Sequence, residues 1–209
     1  MDGVITDTMP VHCATWKTVF FKYGIHVTSE DIYSREGQKG IDSIKEIFAL
    51  YNKPLTEDPH LILKEKEKLF QKRLRRKFIP GTRSLLRSLT RQKFLLALVT
   101  GTSRAEMQKL LPESIFTLFH VSVCGCDVRQ GKPHPEPYEK ALRFLSLSSK
   151  DAVVIENAPF GVRSAKRAGL MCLAVATSLP ASYLHEADWV VGNIRELKQR
   201  FTFENKADL

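Results

Sequence analysis

Four short stretches of this chain carry side chains that could do chemistry. Asp2 and Asp7 lie close together in Asp2-Gly3-Val4-Ile5-Thr6-Asp7. Two neighbouring carboxylates suit acid–base work or metal binding, and an irregular terminus would hold them equally well. Thr100-Gly101-Thr102-Ser103 offers hydroxyls and backbone amides at the start of a helix. That is a ready anion site, while Ser103 alone also reads as an ordinary helix cap. In Gly131-Lys132-Pro133-His134-Pro135, the lysine between a glycine and a proline is held where it stands and could neutralise a phosphate as a point charge. A surface loop leading into a helix explains the same residues. Glu156-Asn157 presents two oxygen-bearing side chains, which suits a hard cation such as Mg²⁺, or a polar turn.

The elements around these stretches place all but the first at strand ends. Short apolar runs at 94–99, 121–124, 152–155, 171–175 and 189–191 suit strands buried on both faces. Helical stretches at 83–89, 105–110, 136–145 and 162–168 separate them. Strands alternating with helices predict a parallel sheet with helices on both faces. Chemistry in such sheets sits beyond the carboxyl ends of the strands, which is where the last three stretches fall. Residues 12–78 read differently, as helices only: one at 12–23 ended by Gly24, one beginning near Gly40 with Ile41, Ile44, Ile47 and Phe48, and a basic third one, before Pro80-Gly81 breaks the pattern. The chain therefore reads as an α/β core with a helical insert near its N-terminus.

The 209 residues suit one core with one insertion. Hydrophobic residues make up 43% and charged residues 26%, which excludes a disordered or fibrous chain. No apolar run approaches the ~20 residues that span a bilayer, and the first residues lack the pattern of a signal peptide. Four scattered cysteines do not make a disulfide framework, so a reduced, cytoplasmic protein is expected. The net charge of +9 is concentrated in residues 64–77, which hold eight Lys/Arg against two Glu. Phe70, Leu74 and Phe78 at helical spacing make this a solvated amphipathic helix more readily than a nucleic-acid surface. Cys124-Gly125-Cys126, without histidine partners, does not read as a zinc site.

Taken together and in order, the motifs resemble those of the haloacid dehalogenase superfamily, in the branch with a helical cap inserted early. Asp2 to Thr8 is similar to its first motif, Val99-Thr100-Gly101 to the second, Gly131-Lys132-Pro133 to the third and Val154-Ile155-Glu156-Asn157 to the fourth, with Pro80-Gly81 as the return from cap to core. The resemblance implies a Rossmann-like three-layer α/β core with a parallel sheet, formed by residues 1–11 and 79–209, and an inserted all-helical cap domain at 12–78. It implies a Mg²⁺-dependent phosphatase acting through an aspartyl-phosphate. Asp2 would be the general acid and base and, through its carbonyl, a metal ligand. Thr100 and Gly101, with Gly3 and Thr102 beside them, would hold the phosphoryl group. Lys132 would neutralise its charge, and Glu156 and Asn157 would hold Mg²⁺ directly or through water.

Two departures accompany the resemblance. The attacking aspartate should stand two positions before Asp2, which lies ahead of Met1, as does the apolar strand that should lead to it. An internal Met1 with an upstream start, or an inactive phosphate-binding form, would each account for that. Asn157 stands where the family often has Asp, which removes one negative charge from the cation site. Asp7 to His12, followed by Trp16, resembles the β-phosphoglucomutase-like branch, where a matching histidine sits at the cap hinge. There Gly40 replaces the arginine expected to hold a sugar's distal phosphate, with Lys39 as the neighbouring substitute. A phosphatase of small phosphorylated metabolites, sugar phosphates by this resemblance, is the first expectation, with sugar phosphomutase second. No membrane partner, no nucleic acid and a monomer are expected.

Overall fold

The computed structural model describes residues 1–204. Four helices come first: α1 (Met9–Phe21), α2 (Ser29–Tyr33), α3 (Gly40–Leu50) and α4 (Pro59–Arg73). Three of the starts have a local cause. Pro10 sits in the first turn of α1 and Pro59 in that of α4, where a missing N–H costs nothing. Thr28 and Asp31 form a reciprocal capping box on α2. The four helices close around Trp16, Phe20, Ile44, Ile47, Phe48 and Ile62.

The basic helix differs from its sequence reading. It ends at Arg73, and Leu74 is already extended, with ψ 126°. Leu74 and Phe78 therefore do not continue the apolar face; the buried side of α4 is Ile62, Lys66 and Phe70. The cause is a competing pairing. The return segment runs antiparallel to the outgoing one, with the Asp7 amide donating to the Lys77 carbonyl at 2.8 Å and the Ile79 amide to the Ile5 carbonyl at 2.9 Å. Several cations of the run also have intramolecular partners: Arg73 donates to the Ala14 carbonyl and the Thr18 hydroxyl, Arg76 to the Lys109 carbonyl, and Lys77 pairs with Asp7.

The remainder alternates. It runs α5 (Thr82–Arg91), β1 (Ala97–Val99), α6 (Arg104–Leu110), α7 (Glu113–Phe116), β2 (Val121–Val123), α8 (Glu136–Leu145), β3 (Val153–Glu156), α9 (Pro159–Arg167), β4 (Met171–Val175), β5 (Trp189–Val191) and α10 (Ile194–Arg200). All strand pairings are parallel. Strand periodicity sorts the core into two faces. Leu173 and Val175 of β4 pack with α5 and α10, while Cys172 and Ala174 pack with α8 and α9. The result is a Rossmann-like three-layer architecture.

The single expected sheet is divided in two. Strands β1 and β2 form one pair, and β3, β4 and β5 form a separate sheet in that order. Among the described residues no strand joins β1 to β3. The Met1–Thr6 turn is anchored between the two sheets. The Met1 carbonyl accepts from the amides of Val4, Ile5 and Thr6, Thr82 donates to the Val4 carbonyl at 2.7 Å, and Thr177 donates to the Gly3 carbonyl at 2.5 Å. Val4 packs against the clusters on both sides. No helix among the described residues is long and apolar enough to cross a membrane.

Candidate active site

The carboxyl ends of β1 and β3, the Met1–Thr6 turn and the helical layer enclose a cavity of about 360 Å³. That volume is in the range of small-molecule sites. Most residues singled out in the sequence line it, namely Asp2, His12, Lys39, Thr100, Gly101, Thr102, Lys132, Glu156 and Asn157, whereas Gly3 packs behind Asn157 and Asp7 turns away to pair with Lys77.

Asp2 is held from both sides. Its Oδ1 accepts from the Thr8 hydroxyl at 2.5 Å and lies 3.4 Å from His12 Nε2, and its Oδ2 accepts from Thr102 Oγ1 at 2.9 Å. Burial alone would raise its pKa; the contacts with His12 and Thr8 override that and hold the carboxyl well below the usual carboxylate range. His12 in turn stacks on Phe70 of α4, ring centroids 4.0 Å apart. The loop after β1 is tied in through Thr100, whose amide donates to the Val123 carbonyl at 2.9 Å and whose hydroxyl accepts from the Thr102 amide at 3.2 Å. Ser103 caps α6 by accepting from the Glu106 amide. Thr102 thus positions Asp2, a role the sequence did not reveal.

Lys132 and Glu156 form a buried pair at 2.5 Å, with side chains 4% and 8% exposed. Lys132 also donates to the Val99 carbonyl at 3.3 Å. Glu156 is saturated: Oε1 accepts from Lys132 and from the Tyr138 hydroxyl at 2.9 Å, and Oε2 from the amides of Asn157 and Ala158 at 2.8 and 3.1 Å. Burial pushes its pKa up, but the Lys132 ammonium and these donors bring it below the ordinary value. Burial and the Glu156 charge push the Tyr138 hydroxyl well above its usual range.

Two glycines mark close approaches. Gly3 has φ +70°, and a Cβ there would lie 1.9 Å from the Asn157 amide nitrogen. A Cβ at Gly101 would lie 2.8 Å from the Gly37 carbonyl and 2.9 Å from that of Gln38, so the loop before α3 rests directly on the loop after β1. Lys39, expected near a sugar's far end, instead donates to the carbonyls of Val128 and Arg129 at 2.7 and 2.9 Å. Its ammonium fastens the helical layer to the α/β part.

Glu36 was not foreseen from the sequence. It is 6% exposed, and its Oε1 accepts from Asn157 Nδ2 at 2.5 Å and lies 3.4 Å from the Ser178 hydroxyl. Its Oε2 has no partner. Burial raises its pKa well above the usual carboxylate value, against the pull of the Asn157 hydrogen bond. Nothing in the spacing of Glu36-Gly37-Gln38 marks it, because its partners are contributed by β3 and the loop after β4. Lys66 and Glu106, another buried pair lining the cavity, were hidden by their charged surroundings in sequence.

Among the described residues, no three His, Cys, Asp or Glu side chains are arranged to share one ion. A cation here would draw on amide and carbonyl oxygens and water as well as carboxylate, which is the habit of Mg²⁺.

Comparison with known proteins identifies the family. The profile of haloacid dehalogenase-like hydrolases matches residues 1–175. A phosphorylated carbohydrates phosphatase of Thermotoga maritima is 31% identical over 175 residues, covering 81% of this chain and 79% of its own. The β-phosphoglucomutase of Bacillus subtilis is 26% identical over 205 residues, covering 94% and 88%. The crystal structure of β-phosphoglucomutase from Clostridium difficile superposes with a TM-score of 0.84 at 23% identity, covering 94% of this chain and 89% of its own, which shows a shared fold. The chain belongs to the haloacid dehalogenase-like hydrolase family.

Proposed function

We propose that this site serves Mg²⁺-dependent hydrolysis of phosphate monoesters of small metabolites, sugar phosphates foremost, with helices α1–α4 acting as its cap. The observation that carries the reading is the buried Lys132–Glu156 pair facing Asp2 and the Thr100–Thr102 loop in one small cavity. A fixed ammonium and a loop of amides and hydroxyls suit a phosphoryl group, whose transfer rests mainly on positioning and charge.

Asp2 is ionised in this setting, so it is ready to take a proton from an attacking hydroxyl or water. An incoming phosphate beside it would oppose that charge and raise its pKa, which supports the complementary acid step. His12 and Thr102 orient the carboxylate.

The residues fit a divalent cation. Glu36 lines the cavity with Asn157, its Oε1 accepts from Asn157 Nδ2, and its buried Oε2 has no hydrogen-bond partner among the described residues. Asn157 and the Asp2 carbonyl, with water, would hold the ion, which supplies charge that offsets the phosphate's as a nucleophile approaches; Glu156, expected as a ligand, has both oxygens engaged and instead braces Asn157 through its backbone amide. The two named relatives include a phosphatase of phosphorylated carbohydrates and a β-phosphoglucomutase. The His12–Asp2 contact favours the mutase as a second reading. Gly40 and the engagement of Lys39 with backbone carbonyls leave neither position offering a free cation for a second phosphate. Phosphate release from a panel of sugar phosphates, followed by ³¹P NMR, separates the two. Hydrolysis gives inorganic phosphate, and a mutase gives an isomeric ester.

A further inference from the structure

A hard cation needs oxygen donors with free lone pairs and gains most from an anionic one. Three carboxylates line the cavity near Asn157: Asp2, Glu156 and Glu36. The first two are occupied. Asp2 is fixed by Thr8, His12 and Thr102, and Glu156 accepts from Lys132, Tyr138 and two backbone amides. Asn157 itself is neutral. The remaining free carboxyl oxygen is Glu36 Oε2, which is buried and has no hydrogen-bond partner among the described residues, and whose carboxyl is steered by Asn157 Nδ2 at 2.5 Å.

We propose that Glu36 supplies a carboxyl oxygen to the divalent cation, beside Asn157. The inference rests on the cation reading above and assigns that role to a residue outside the α/β layers. Glu36 lies on the loop between α2 and α3, whose Gly37 and Gln38 carbonyls rest against Gly101. Asn157 follows β3. The cation is therefore fully ligated only while the helical layer is seated on the strand ends, so cation binding and seating reinforce each other.

The test is Mn²⁺ binding to the full chain, read by the loss of the free Mn²⁺ signal in electron paramagnetic resonance and by competition with Mg²⁺. Circular dichroism checks that each variant folds. Glu36→Gln should weaken binding by about tenfold or more. The double variant Glu36→Gln, Asn157→Asp reverses the hydrogen bond and restores the charge, so it should return to within about threefold of the original affinity. Should the Gln variant not fold, Glu36→Asp, which withdraws the carboxylate by one methylene, carries the same expected weakening. Unchanged affinity in Glu36→Gln, or a weakening that the double variant leaves uncorrected, overturns the proposal while the cation reading stands. A parent chain that binds neither ion overturns both.

Discussion

Lys66 of α4 and Glu106 of α6 face each other at 3.5 Å across the junction of the helical and α/β layers, each 4% exposed. The ammonium lies over the ring of Phe70 at 4.7 Å and that of Trp16 at 5.5 Å. Glu106 Oε1 makes no hydrogen bond. A buried pair of this kind is costly to break from one side, because the remaining charge is left without compensation. Glu106→Ala or Lys66→Met alone should therefore destabilise the fold by about 3–5 kcal/mol. The combination Lys66→Met, Glu106→Leu should be near neutral. Urea denaturation of the three variants checks this, and equal losses in single and double variants would remove the pair's claimed role.

Lys132 lies in the same situation with a chemical role added. Lys132→Met leaves Glu156 with Tyr138 and two amides but no cation. The expected result is a loss of about 3–5 kcal/mol in stability and a fall of about 10²–10³ in phosphate turnover in a chain that carries the nucleophile. Turnover that survives the change would place phosphate charge neutralisation elsewhere.

Asp2 should leave a signature in the pH dependence of stability. Its folded pKa is held below the ordinary carboxylate value by His12 and Thr8. The unfolded chain then binds the proton first as pH falls, so the stabilisation is complete above the unfolded pKa and is lost as pH drops from there toward the folded value. Below that unfolded value, the original chain should lose about 1.4 kcal/mol per pH unit relative to Asp2→Asn. Denaturation curves of the two between pH 5 and pH 2, roughly the window where the unfolded carboxylate titrates, make the comparison. Parallel losses would mean that Asp2 is not held ionised by His12 and Thr8.

Asn157→Asp should bind Mg²⁺ more tightly, by about tenfold, because ligand charge governs affinity for hard cations. Calorimetric titration measures it. An unchanged affinity would count against Asn157 as a ligand.

The scaffold was largely readable because its signals are local. The strands at 171–175 and 189–191 and the helix at 136–145 match their apolar patterns to the residue. The first strand was read as 94–99 and is 97–99, since the turn after α5 uses Phe94, whose amide donates to the Leu89 carbonyl. The basic helix was read too far, because its charged residues carry no mark of where the pairing between 5–7 and 77–79 takes over. The strand-end motifs located Thr100, Lys132, Glu156 and Asn157, and the first motif located Asp2, all of which line one cavity. What spacing could not convey is partnership over long separations. Glu36 meets Asn157 across 121 residues and Thr102 meets Asp2 across 100, and the same side chains in another fold would be solvated. Lys66 is the sharpest case. Within a run of exposed cations it reads as surface, yet it is buried because α4 turns Ile62, Lys66 and Phe70 inward.

The central claim is that Asp2, Lys132 and the Thr100 loop form a site for a phosphoryl group. Its most direct test is binding of a sugar phosphate in the presence of Mg²⁺, measured by calorimetric titration of the original protein and of Lys132→Met. The account predicts binding by the original that Lys132→Met weakens by about tenfold or more. Equal binding by both, or no binding of any sugar phosphate by the original, would contradict it.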